Sequence, residues 1–479
     1  MIEAILIFPI LGGALLAVWG HRSWAPELNS LVSFCTLSAA VLLASKVLLH
    51  GPMTAFNEQF FVDSFNVFLI VLTAFVAFTT TLFSRPYMRN EEALSGLSIY
   101  QLRLYHSMYQ IFCFTMLLAL LTNNLGILWV AMEGATLATV LLVSLYRTKA
   151  SLEAAWKYFI LCGVGIAQAF FGTILIYFAA EKVLGPGGTA LLWTHLDVAK
   201  HSLEPTVLSI AFVFLLVGYG TKVGLVPLHS WLPDAHAEGP TPVSAVLSGL
   251  LLNVALYAVL RCKILVAGAL NSHFADDLLI CFGLVTVLVA AFLLWRQKDI
   301  KRLFGYSSIE HMGLMTFAFG IGANFAGLLH MTVHSLTKSA IFFAVGHAAQ
   351  RSGSQTIESI KGLIKTPAIG WGLMLGGVAI LGMPPSGVFT SEFLIITRAM
   401  ATHPWAAPIL LVALGVAFAA IFGKVQSMVW GESECRELPH SPAFSPILLH
   451  LALVLLLGLY IPHYLARWYS EAARLMGGS

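Results

Sequence analysis

The sequence is divided into fourteen apolar runs, each long enough to cross, as a helix, a hydrocarbon layer roughly 30 Å thick. They lie at about 2–20, 28–49, 61–84, 106–122, 125–145, 156–180, 206–227, 242–260, 277–295, 303–322, 325–348, 366–400 with a break, 405–429 and 444–466. Lipid offers the backbone no hydrogen-bond partner, so runs of this length must satisfy their own amides and carbonyls as helices. The expected fold class is therefore an all-α polytopic membrane protein of about 14 transmembrane helices. Composition agrees, with 58% apolar and 10% charged residues and a mean hydropathy of +0.85. A net charge of +3, from 26 basic and 23 acidic residues, excludes a basic nucleic-acid surface and an acidic disordered tail.

The first run carries Glu3 rather than a basic cluster, contains Pro9, and is followed at once by another apolar run. These features predict a retained helix rather than a cleaved signal. Cys35, Cys113, Cys162, Cys262, Cys281 and Cys435 contain no C-x-x-C pair and read as small apolar fillers, with no cofactor or metal site in this chain.

Lys and Arg are retained on the cytoplasmic side of span ends. Links after odd-numbered spans carry sixteen of them, Arg436 included, against eight in even links and the C-terminus. The expectation is a prokaryotic cytoplasmic (inner) membrane protein with both termini outside. This count leaves only Lys222 and Lys338 inside predicted spans. No separate soluble domain is expected. The 85–105 link is the longest early one, with 97–105 a candidate interfacial stretch, and 184–204 reads as a connection.

Ionisable groups at membrane depth cost several kcal/mol unless paired or hydrated, so each is a functional candidate. Glu133 has a full apolar turn on either side. Lys222 sits among Gly218, Gly220 and Gly224, ahead of Pro227 and Pro233, which predicts an interrupted helix around it. Moving or protonating an acid such as Glu133 would alter the proton affinity of this lysine, so the two make a candidate switch; a static buried salt bridge is the bland reading.

The second half offers Glu310 and His311, then His330, His334 and Lys338 spaced by four on one helical face. The bland alternative for the two later histidines is a satisfied core pair. Zinc is disfavoured because the glutamate of H-E-x-x-H is missing and a lysine follows. Glu392 follows Pro384, Pro385 and Gly387 in a second interrupted run, so both halves place an ionisable group beside a break, as in an internal repeat. His229, Asp234, His236 and Glu238 form a possible proton-access group, or else a polar cap and turn. No nucleotide cradle, nucleophile set or haem motif accompanies them.

Three blocks carry a resemblance: GYGTKVGLVPLHSWLPDAHAEGPTPVS at 218–244, YSSIEHMG at 306–313, and the run from His330 to Gly346. Over residues 60–430 the chain resembles the antiporter-like membrane subunits of respiratory complex I and membrane-bound hydrogenases, nearest to the hydrogenase-4 component F branch. The resemblance implies a fourteen-helix core with two inverted repeats, each holding a broken helix. It implies proton-transfer roles for Glu133, Lys222, Lys338 and Glu392, with His330 and His334 beside the second lysine. Asn253 stands where many relatives carry a central lysine; an amide cannot carry the proton, so the route must pass through water or neighbouring groups.

The implied organisation is 1–105 for the N-terminal helices, 106–265 and 266–430 for the two repeats, and 431–479 for the C-terminal link and last helix. The implied activity is proton translocation within a multisubunit redox complex, without redox catalysis by this chain. Iron–sulfur centres, with or without nickel–iron centres, would lie in partner subunits, alongside other membrane subunits and lipid. The rival function is a cation/proton antiporter or the proton-coupling subunit of an inorganic-carbon uptake complex.

Overall fold

A computed structural model of the chain describes residues 1–432 and 437–477, so Cys435, Arg436 and Ser479 lie outside the described residues. The architecture is all-α apart from one small hairpin, β1 (Met53–Ala55) with β2 (Phe60–Val62), paired antiparallel with Thr54 opposite Phe61.

Helices α1 (Ile2–Trp19), α2 (Ala25–His50), α3 (Ser64–Ser95), α4 (Ile99–Leu121), α5 (Leu125–Val143) and α6 (Lys149–Leu184) form the first half of the bundle. Side-chain caps start several of them: Asp63 and Asn66 form a reciprocal capping box on α3, Ser98 and Gln101 on α4, and Asn124 caps α5. The short α7 (Trp193–Ala199) interrupts the next link, then α8 (Pro205–Val223), α9 (Trp231–Glu238), α10 (Thr241–Val246) and α11 (Leu252–Leu270) follow. A π-helical turn at Leu247–Leu251 joins the last two into one span.

The second half comprises α12 (Phe274–Trp295), α13 (Ile300–Gly320), α14 (Asn324–Ser352), α15 (Pro367–Ile380), α16 (Gly387–Thr402), α17 (Ala406–Val429), α18 (Ser445–Leu459) and α19 (His463–Leu475). Among the described residues eleven helices are long and apolar enough to cross a membrane, or twelve when the bent pair α18–α19 counts as one.

Burial sorts these helices. The apolar windows of Thr241–Leu270 and α14 are wholly enclosed by protein, whereas only a third of the α1 window is. The polar side chains of Asn253, His330, His334 and Lys338 ride on the enclosed pair, while Leu11, Leu31, Trp156 and Phe170 on α1, α2 and α6 face outward. A helix apolar all round belongs against lipid; one bearing ionisable groups must be shielded from it.

Three expectations need correction. α3 runs to Ser95 and α4 begins at Ile99, so the expected 85–105 link shrinks to a short turn between two long helices, and Arg85 and Arg89 sit within α3, sharing Glu27 at 3.0 and 2.7 Å. The run 444–466 is not one straight span: α18 stops at Leu459 and α19 departs at 81°. Arg261 and Lys263 are not in a link; both lie inside α11 and are buried. Each is neutralised there, Arg261 by Asp63 at 2.8 Å and Lys263 by Asp276 at 2.7 Å, and that pairing lets a helix carry basic residues past the end of its apolar pattern.

Candidate functional site

α8 ends one residue beyond Lys222 because Gly224 turns into the left-handed region at φ +86, where a side chain is strained. The chain continues without helix until α9, so the predicted interruption falls immediately after the lysine. The Trp231 indole donates to the carbonyl of Thr221 at 2.8 Å and so ties the new helix to the end of the old one.

Lys222 is fully buried. Its ammonium donates to the Tyr158 hydroxyl at 3.2 Å, and that hydroxyl lies 2.6 Å from the Thr139 hydroxyl. The same ammonium stands 4.8 Å from the Tyr158 ring centroid, and the Trp231 ring stacks on Tyr158 at 4.4 Å. Three donors thus meet one protein acceptor and two aromatic faces. Glu133 on α5 is half-buried, and one of its carboxylate oxygens is enclosed without a partner. No ion pair within 4.0 Å joins Glu133 to Lys222 among the described residues, although each charge acts on the other.

The second-half groups converge more closely. His311 Nδ1 lies 3.0 Å from His330 Nε2, and His330 Nδ1 lies 2.8 Å from Ser391 Oγ. The Ser391 hydroxyl donates to the Val388 carbonyl at 2.8 Å. Its one proton being used there, His330 Nδ1–H donates to Ser391, which leaves His330 Nε2 to accept from His311. A Glu392 oxygen lies 3.9 Å from His311 Nδ1. His334 closes the group, its ring 5.6 Å from that of His311, with neither nitrogen hydrogen-bonded. Lys338 donates to the Phe304 carbonyl at 3.2 Å, and its charge acts on Glu310 one turn and a half along α13.

Glu392 reaches this cluster because the break between α15 and α16 folds back over it. Gly382, at φ +63, lies against the Glu392 carboxylate so closely that a Cβ would fall on it. Ser386 then starts α16 by accepting from the Phe389 amide at 3.2 Å.

Asn253 on α11 is tied to α14. Its amide donates to Ser335 Oγ at 2.8 Å and the Met331 carbonyl at 3.2 Å, while its Oδ1 is buried without a partner. The π-helical turn just before it frees the Gly249 carbonyl, which accepts from Ser335 at 2.5 Å.

The possible access residues do not form one cluster. Asp234 is clamped between Lys157 at 2.5 Å and Arg302 at 2.9 Å, an arrangement that locks α9 to α6 and α13. His236 points inward: it is fully buried, stacked on Phe342 at 4.8 Å, and has no partner on either nitrogen. His229 lies edge-on to Tyr306, and Glu238 is part-exposed at the end of α9.

Tyr158, Ser391 and Ser335 are site residues that the sequence reading missed, since a lone hydroxyl in an apolar helix gives no signal apart from its partner. Buried Lys301 was also missed; it donates to the Gly239 carbonyl at 2.9 Å and caps the segment after α9. Among the described residues no three His, Cys, Asp or Glu side chains are grouped to hold a metal ion.

Residues 122–419 match the family described as NADH:quinone oxidoreductase/Mrp antiporter, TM. The chain is 49% identical over 477 residues to a hydrogenase-4 component F homolog of Methylacidiphilum infernorum, covering 99% of each. Its fold is similar to that of a chain in an archaeal membrane-bound sulfane sulfur reductase, with TM-score 0.88, 24% identity and coverage of 100% and 98%. A chain of the Mrp complex from Dietzia sp. is similarly folded, with TM-score 0.84, 19% identity and coverage of 99% and 97%. Matched over more than half of its length by the family model and over nearly all of it by a relative of 49% identity, the chain belongs to the NADH:quinone oxidoreductase/Mrp antiporter family of membrane subunits and is related to hydrogenase-4 component F.

Proposed function

We propose that the chain is a proton-translocating membrane subunit of a multisubunit redox complex of the hydrogenase-4 or complex I type. The observation that carries this reading is the enclosure, at membrane depth, of Lys222, Glu310, His311, His330, His334, Lys338 and Glu392 in two sets, each beside a broken helix. An enclosed charge is tolerated only while its partner's charge state permits, so a proton gained at one site changes occupancy at the next.

In the first set Glu133 exchanges protons with Lys222, whose ammonium is held by Tyr158. In the second, Lys338 answers to Glu310, and His311 passes a proton to His330 along their shared hydrogen bond while Glu392 offers an exit. Asn253 holds the crossing between the sets. The buried atoms without protein partners on Asn253, His236 and His334 mark where ordered water completes the route.

The same reading assigns fourteen crossings and two inverted repeats. The eleven long apolar helices and α18 are supplemented by α13, whose basic start and Glu310 lower its hydropathy, and by the α15–α16 pair acting as one broken crossing. The arrangement of a helix, a break and a second helix occurs at α8–α9 and again at α15–α16, with Lys222 before the first break and Glu392 after the second. The termini lie outside the cytoplasm of a prokaryotic membrane. Partner subunits supply the redox centres, iron–sulfur with or without nickel–iron, and neighbouring membrane subunits cover Glu133 on the half-open face of α5.

Reconstituting the complex with its partner subunits tests this function. Electron transfer should acidify one side of the vesicle, and Lys338→Ala should abolish that acidification while electron transfer persists.

A further inference from the structure

A cavity of about 320 Å³ opens at one end of the bundle, where the start of α14 meets α16 and α19. None of the ionisable groups assigned to proton transfer lines it. Two cations do, Arg398 on α16 and Arg474 on α19, and no Asp or Glu stands among the lining residues. Neither guanidinium has an acid partner among the described residues, and the nearby Glu471 is taken by Arg467 at 3.0 Å.

The wall between the cations is the beginning of α14. That 29-residue helix has Ala323 at its N-cap position, with no side chain to bond its first amides. The positive end of a long helix therefore adds to the two arginines. Asn324 at this turn is 2% exposed; its amide donates to the Ala473 carbonyl at 3.4 Å, but its Oδ1 has no partner. A simple anion satisfies the cations and the helix start and leaves that oxygen bare. A ligand that bears both a phosphate and a hydroxyl satisfies all three.

The surroundings favour a lipid source. α19 turns 81° from α18 and is two-faced: Tyr469, Ala472 and Ala473 are buried, while Tyr464, Arg467 and Arg474 are exposed. An aromatic and basic helix of this kind lies in a membrane interface. Phe325 and Leu394 give the cavity an apolar side.

We propose that this cavity binds the phosphoglycerol head group of an anionic membrane lipid. Arg398, Arg474 and the uncapped start of α14 hold the phosphate, and Asn324 Oδ1 accepts a hydrogen bond from the glycerol hydroxyl.

The test is native mass spectrometry of the full-length chain in its complex, stripped of lipid and titrated with phosphatidylglycerol, phosphatidic acid, phosphatidylcholine or soluble glycerol 3-phosphate. The wild type should retain one more phosphatidylglycerol than the variant carrying both Arg398→Gln and Arg474→Gln, whose affinity at this site should fall about tenfold or more. Asn324→Leu should erase the preference for phosphatidylglycerol over phosphatidic acid, which lacks the hydroxyl. Both guanidinium groups are exposed, and an unchanged thermal midpoint would show that the arginine variant is folded. Equal retention of phosphatidylglycerol and phosphatidylcholine, or unaltered retention in the double variant, would overturn the site. Full displacement of the lipid by millimolar glycerol 3-phosphate would overturn the lipid assignment.

Discussion

The ammonium of Lys222 is hydrogen-bonded to the hydroxyl of Tyr158, 3.2 Å away, and makes no direct ion pair with Glu133. The tyrosine therefore stands where a second charge was expected. A neutral acceptor holds the lysine in place without fixing its proton, whereas a salt bridge would resist deprotonation by the energy of the pair.

Tyr158→Phe removes that acceptor and leaves the packing on Trp231 intact. A hydrogen bond from a charged donor is worth about 1.5–3 kcal/mol, so proton transfer through the first set should fall by roughly tenfold or more. Vesicle acidification by the assembled complex measures this. Thr139→Val, which removes the group beyond the tyrosine, should have a smaller effect in the same direction.

Gly382→Ala should displace the Glu392 carboxylate, since the added Cβ has no other space and the backbone there is left-handed. The expected destabilisation is about 1–3 kcal/mol, with pumping lost while assembly survives. A fully active Gly382→Ala complex would show that Glu392 need not sit over the break.

Removing one partner of the buried Arg261–Asp63 pair should cost about 3–5 kcal/mol, because the other charge is left uncompensated. Arg261→Leu should therefore destabilise strongly in detergent unfolding assays. Asp63→Asn should also destabilise strongly although its amide oxygen still accepts from the Phe65 and Asn66 amides, because it leaves the buried Arg261 guanidinium unpaired. Little loss of stability in either variant would mean that the ion pair does not hold this end of the bundle.

Much of this was legible in the sequence, because lipid enforces helices and punishes stray charge. The apolar runs located the helices, although α3, α4, α6 and α11 extend well past the ends of their runs, and glycine and proline marked both breaks. What failed has a common cause. Arg261 and Lys263 read as link residues because their acids, Asp63 and Asp276, lie far away or across a turn, and pairing cannot be seen in a hydropathy pattern. The 81° turn after Leu459 was hidden for a related reason: Ile461 and Leu465 continue the apolar count although Pro462 starts a new direction. Glu133 and Lys222 could be singled out from their depth, but the hydroxyl between α6 and α8 that serves the lysine could not.

The excess of basic residues in the odd links, which the placement of Arg261 and Lys263 inside α11 only enlarges, carries an expectation for topology. Reporter fusions after Gly20 and after Arg296 should be cytoplasmic, and a fusion at the C-terminus should not. A cytoplasmic C-terminus would mean that α13 or the α15–α16 pair does not cross.

The central claim is that this chain moves protons driven by redox chemistry performed elsewhere. It is tested most directly by measuring electron transfer and proton release together in vesicles that contain the whole complex, wild type against Lys338→Ala. The account predicts that the variant keeps its electron-transfer rate in the presence of an uncoupler and loses redox-driven proton release. Undiminished proton release per electron in a fully assembled Lys338→Ala complex would contradict it.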